Sequence, residues 1–329
     1  MEGNLVFLTG ASGFLGRHVA LALAESGYEV RCLVRTEAAE ARLPAGCEPA
    51  RGDLRRPGEL VPLLRGCRYL VHAAALYSFS PRDREMISRV NVTGTAGLLE
   101  AARRAGVEKG VVTSSSATVG PARGGRPATE ESTAGSGHGA SGYHESKLAQ
   151  ERVARAARLP TVLVLPTMPV GAGDRRPTPT GRMVLDAMRG RIPAYLPGGA
   201  NLVAVEDAAR AHVLALQRGA AGVRYLVGGE NLSLREILSM VAEAAGRHGP
   251  RFRMPYAAAL ALGWADEGRC RAGMGKRPVV PLEGVRMGRE LMHVSCAKAF
   301  AELGYRPRVA AREAVRRAVA WYREEGMAA

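Results

Sequence analysis

Residues 4–16, NLVFLTGASGFLG, run an apolar strand straight into three glycines spaced three apart. This join constrains the fold more than any other stretch. A short apolar run with a glycine stop reads as a buried parallel strand. Gly10, Gly13 and Gly16 then span the turn and the first residues of a helix pattern that continues from Phe14 to about Ser26. Glycine permits a tight turn and lets main chain approach a bound group without a Cβ in the way. The free N–H groups of the helix start attract an anion, a pyrophosphate above all.

The pattern repeats along the first half. EVRCLVR, EPARGDL, YLVHAAA, GVVTSSS and TVLVLP read as strands two to six, with a long helix from about Arg84 to Ala105 between the fourth and fifth. Alternation at this spacing implies right-handed crossovers and an α/β, doubly wound parallel sheet. Beyond Pro166 regularity drops, and helices are expected at about Arg182–Arg189, Glu206–Gln217 and Leu234–Arg247. The expected division is a dinucleotide-binding domain over 1–165, its sheet completed by later segments, and a smaller, mainly substrate-binding lobe over 166–329.

A second constellation sits downstream. GYHESKLAQE places Tyr143 and Lys147 four apart, hence on one helix face. Of 46 Lys plus Arg only four are Lys, so an ammonium here is selective. A phenol titrating near 10 is a poor base at neutral pH, and a fixed cation beside it lowers that value. Lysine does so compactly and can also reach ribose hydroxyls. The preceding strand ends in three serines, Ser114 to Ser116.

These motifs together resemble the extended short-chain dehydrogenase/reductases, the NAD-dependent epimerase/dehydratase family with a Rossmann-type sheet. NVTGT (91–95), PTMPVGAGDRRPTPTGR, NLVAVEDAARAH and LGYRPR carry the likeness through nearly the whole chain. Within the family it looks most like hopanoid-associated sugar epimerase-like and dihydroflavonol reductase-like proteins. The resemblance implies Tyr143 as general acid/base, Lys147 as its tuner and ribose anchor, and a serine polarising the reacting oxygen. Aligning Gly120 without a gap selects Ser115; a one-residue shift selects Ser116. It implies cofactor contacts from Gly10, Ser12, Gly13, Phe14, Leu15, Gly16, Asp53, Leu54, Ala73, Ala74, Ala75, Tyr143, Lys147 and Pro166.

Strand two ends at Arg35 where NAD enzymes present an acid, so NADP is preferred and NAD remains an alternative. Ala117 and Thr118 stand where sugar-nucleotide dehydratases carry an Asp-Glu pair, which argues against dehydration. The expected reaction is hydride transfer to or from a carbonyl or carbinol of a small-molecule substrate. A sugar epimerase with tightly held NAD is the first rival; a non-catalytic redox-sensing or RNA-binding protein is the second. Tyr77, Ser78, His138, Met168 and Arg182 are candidate substrate contacts.

Composition bounds the rest. A formal charge of +15 invites a nucleic-acid partner, but the arginines are scattered without basic blocks or interleaved aromatics, so none is expected. Five scattered cysteines form no metal-binding spacing and read as reduced thiols of a cytoplasmic protein. No apolar stretch is long enough to span a bilayer. From Arg251 onward 15 basic residues face eight acidic ones, compatible with peripheral membrane contact. A homodimer paired through the long helix after Ala75 and the Tyr143 helix is expected by resemblance.

Overall fold

The computed structural model describes residues 3–78, 81–133, 142–274, 278, 280 and 282–327. Six strands form in order: β1 (Leu5–Thr9), β2 (Glu29–Val34), β3 (Glu48–Arg51), β4 (Tyr69–His72), β5 (Lys109–Thr113) and β6 (Thr161–Pro166). A seventh, Arg224–Val227, pairs with β6, and the parallel sheet runs Arg224–Val227, β6, β5, β4, β1, β2, β3. The chain leaves β1 toward β2 and β3, then crosses back to β4. The carboxyl ends of β1 and β4 therefore flank the switch point, where such sheets bind ligands.

Period-two alternation covers both faces. Val6 and Leu8 pack with Val71, Val111 and the helices Phe14–Glu25 (α1) and Val205–Arg218. Phe7 points the other way, toward Leu70, Leu98, Leu99 and Leu163. All six β6 residues are buried, as a strand covered on both faces requires.

The long helix after β4 is interrupted. Arg84–Ser88 and Gly94–Arg104 are α-helical, but Arg89–Thr93 forms a π-helical turn. The turn aims Asn91 at the main chain of Leu76, whose N–H it accepts at 2.8 Å and whose carbonyl it donates to at 3.1 Å. The helices expected in the second half span Pro179–Met188, Val205–Arg218 and Leu234–Ala244, the last opened by a Ser233/Glu236 capping box. A third core, with Leu185, Leu202, Ile237, Val315 and Tyr322, holds the first and last of these against Ala311–Glu324 and the strand Gly199–Ala204.

Candidate active site

The turn after β1 is shaped by close approach. Gly10 has φ +86°, and a Cβ there would lie 2.7 Å from the Ala74 nitrogen at the end of β4. A Cβ on Gly16 would lie 2.1 Å from the Gly10 carbonyl oxygen. Gly13 caps α1 with no side chain on the helix-start N–H groups. The cradle suits a pyrophosphate: main chain only, at a positive helix end.

One cavity of about 2170 Å³ runs from this turn to the C-terminal lobe. Pockets holding a single ligand are typically about 300–1,000 Å³, so there is room for a dinucleotide and a substrate together. It is bordered by Gly10, Ser12, Gly13, Phe14, Leu15, Gly16, Arg35, Asp53, Leu54, Ala73, Ala74, Ala75 and Pro166, by Ser115, Tyr143 and Lys147, and by Tyr77, Ser78, Met168 and Arg182. His138 lies outside the described residues.

Tyr143 projects from the helix Gly142–Ala156 and is hydrogen-bonded to Ser115. Ser116 also borders the cavity; Ser114 does not compete, because its hydroxyl donates to Glu151 Oε1 at 2.5 Å. Glu151 also takes Thr118 Oγ1 at 2.8 Å and pairs with Arg224 at 3.1 Å, so it braces the loop after β5. Lys147 Nζ lies 5.9 Å from the Tyr143 ring centre. It donates to the Thr113 carbonyl and to Gln150 Oε1, both at 2.8 Å.

Those bonds continue inward. Gln150 Nε2 donates to Thr95 Oγ1 at 2.9 Å, Thr95 Oγ1 lies 2.8 Å from His72 Nε2, and His72 Nδ1 lies 2.7 Å from Thr9 Oγ1. A buried polar chain thus runs from Lys147 under the sheet's carboxyl edge to the start of the glycine turn. Burial pushes His72 down to about 3, with the Lys147 charge adding to it, so the imidazole is neutral. A neutral ring is what a link between two hydroxyls requires.

Burial pushes Lys147 down to about 7, against a smaller pull upward from Glu151. Tyr143 is pushed up, mainly by burial and further by the Glu283 carboxylate, while the Ser115 hydrogen bond pulls it down. This differs from the lowered tyrosine expected from an adjacent ammonium. The tyrosine and lysine are both desolvated, and desolvation is the largest cause of each shift. At neutral pH Tyr143 holds its proton.

Tyr77 stacks obliquely on Tyr143, ring centres 4.4 Å apart. It is hydrogen-bonded to Thr180, and burial pushes it up. Ser78 donates to Asp83 at 2.6 Å, which turns its hydroxyl to the wall. Asp53 is chelated by Arg55, through the main-chain N–H at 2.9 Å and the guanidinium, and that bond holds its carboxyl below the usual range. Arg17, Arg42 and Glu283 are among the site residues that no sequence motif marked. Arg17 and Arg42 border the same cavity as Arg35, Arg17 donating to the Arg42 carbonyl at 2.7 Å. Glu283 reaches Tyr143 and Tyr77 from far along the chain. Only Arg17, directly after the third glycine, left a local signal.

The fold agrees with that of known proteins. A model of the NAD dependent epimerase/dehydratase family matches residues 6–228. The chain belongs to that family. It is therefore an enzyme of the extended short-chain dehydrogenase/reductase type that works with NAD(P). It is 37% identical over 328 residues to a Synechocystis sp. protein provisionally named dihydroflavonol 4-reductase, covering 97% of this chain and 95% of the relative. It is 34% identical over 325 residues to sterol demethylase protein B of Methylococcus capsulatus, covering 97% and 98%. The crystal structure of gox2253 superposes with a TM-score of 0.85 at 39% identity, covering 99% of both chains. The NAD complex of Thermus thermophilus UDP-glucose 4-epimerase, another family member, superposes at 0.75 with 28% identity over 97% and 99%.

Proposed function

We propose that the protein is an NADP-preferring reductase/dehydrogenase that exchanges its cofactor at each turnover and acts on a carbonyl or carbinol of a largely apolar small molecule. The observation that carries the reading is the Ser115–Tyr143 hydrogen bond, with Lys147 alongside, in one cavity with the glycine cradle. When bound, the nicotinamide supplies the hydride chemistry.

The chain's own residues do the rest. The main chain at Gly10, Gly13 and Gly16 and the N–H groups opening α1 hold the pyrophosphate. Arg35, with Arg17 and Arg42 on the same cavity, meets a 2′-phosphate with charge and planar donors. Lys147, held by Thr113 and Gln150, presents its remaining donor to ribose hydroxyls. Ser115 fixes the reacting oxygen, and Tyr143 delivers its phenolic proton to it in reduction or takes one in oxidation. At neutral pH Tyr143 holds the proton that reduction uses.

Part of the cavity lining suits an apolar substrate. Met168, Met183, Tyr195, Leu196, Met254, Met287 and Met292 belong to it, and methionine-rich walls adapt to irregular apolar shapes. Both relatives' names, a flavonol-type reductase and a sterol-processing protein, suit such a ligand. The reading includes two copies pairing through Arg84–Arg104 and Gly142–Ala156, and cytoplasmic residence, which the five free cysteines suit.

The test is NADPH consumption across a panel of aromatic and alicyclic ketones. Tyr143→Phe should lower turnover by about 10²–10⁴-fold, the usual worth of a positioned acid/base, with NADPH affinity unchanged. Equal turnover in Tyr143→Phe would remove the acid/base role.

A further inference from the structure

The helix Tyr256–Arg271 has the wrong face outward. Ala259, Gly263 and Cys270 are buried against the protein, and a Cβ on Gly263 would lie 2.8 Å from Leu282 Cδ2. At 100° per residue the opposite face carries Ala257, Ala261, Ala265 and Gly268, flanked by Leu262 and Trp264. All six are exposed, Leu262 at 51% and Trp264 at 54%. Phe252 just before the helix is 71% exposed and Met274 just after it 68%. A solvent-facing helix side is normally polar, and a contiguous exposed apolar patch marks a contact surface.

Basic side chains lie at both ends of this face among the described residues. Arg251, Arg253 and Arg271 are exposed at its two ends, with Arg289 beside Tyr256. The helix's two acids serve the protein instead. Asp266 accepts the Val280 N–H at 2.8 Å and pairs with Arg269 at 2.7 Å; Glu267 accepts the Leu282 N–H at 3.3 Å and pairs with Arg271 at 3.6 Å. An apolar strip rimmed by arginine complements an anionic, apolar-cored surface. A second copy of this basic chain would bring like charges together. Among the described residues no helix is long and apolar enough to cross a membrane, so contact would be lateral. The same segment borders the large cavity through Met254 and Tyr256.

We propose that the outward face of Tyr256–Arg271, with Phe252 and Met274, docks on an anionic lipid bilayer, lying in the interface beside the substrate cavity. Aromatic and leucine side chains enter the headgroup–acyl boundary, and the arginines meet lipid phosphates. Docking does not depend on the oxidoreductase reading.

The test uses the full chain and vesicles of phosphatidylcholine with 30% phosphatidylglycerol as probe, read by co-sedimentation without turnover. The expected result is binding to these vesicles, weaker binding to pure phosphatidylcholine, and weakening by salt. A Leu262→Ser/Trp264→Ser double variant should bind roughly tenfold less, since interfacial affinity scales with buried apolar area. Unchanged circular dichroism and NADPH binding would show that it is folded. In a Trp321→Phe background, Trp264 emission should shift to the blue on vesicles. No sedimentation with anionic vesicles, or equal binding by the double variant, would overturn the proposal. So would light scattering in which the double variant turns a dimer into a monomer, which would give the face to a second copy.

Discussion

Gly10, Gly13 and Gly16 meet the cavity with main chain, whereas Met168, Met254, Met287 and Tyr195 meet it with side chains. The difference separates two kinds of recognition. Main chain at a fixed turn tolerates almost no change, because a Cβ at Gly10 or Gly16 would fall well inside contact distance of backbone atoms. Flexible thioethers tolerate much, because neighbours can refill lost volume. A shared dinucleotide calls for the first and a variable substrate for the second.

Gly16→Ala should have the largest effect, on the rigid side of the cavity. The added methyl would sit 2.1 Å from the Gly10 carbonyl, so the turn must open. Overpacking of this kind costs roughly 1–3 kcal/mol, read by urea denaturation, and saturable cofactor binding should be lost. Next comes Arg35→Ser. Removing a charged hydrogen bond to phosphate should weaken NADPH by about 10–100-fold and leave NADH within about threefold, by fluorescence titration. Equal losses for both cofactors would detach Arg35 from the 2′-phosphate.

On the adaptable side Met168→Ala should raise KM for the best ketone by only about threefold to tenfold at nearly constant kcat, as lost apolar contact does. A collapse in kcat would show that the lobe is as exacting as the glycine turn. Smallest is Glu283→Gln. The Glu283 charge raises Tyr143, so its removal lowers it. Alcohol oxidation needs the deprotonated tyrosine, and its rise with pH should move to lower pH. A shift upward would contradict the geometry.

The same division explains what could be read from the chain alone. Glycine spacing, strand alternation and the Tyr143/Lys147 pair are local patterns with local physical causes, and each appeared where expected. The chain Lys147–Gln150–Thr95–His72–Thr9 joins four separate elements of the fold, so no single window of sequence contains it. Glu283 and the Arg42 partner of Arg17 reach the site through tertiary folding. The π-helical turn at Arg89–Thr93 was not marked by the helix pattern, and its Asn91 finds its partner at Leu76, 15 residues back along the chain. The lowered tyrosine failed for another reason: spacing reports which charges are near, not how far both are desolvated.

Cofactor exchange, rather than retention, separates a reductase from an epimerase at this site. The most direct measurement denatures the purified protein, made without added cofactor, and identifies any released nucleotide by absorbance and chromatography. A cofactor-free sample is then titrated with NADPH and NADH. The account predicts little released nucleotide and tighter binding of NADPH. Stoichiometric NAD, with weak NADPH binding, would contradict it and leave a cofactor-retaining epimerase with Arg35 on its surface.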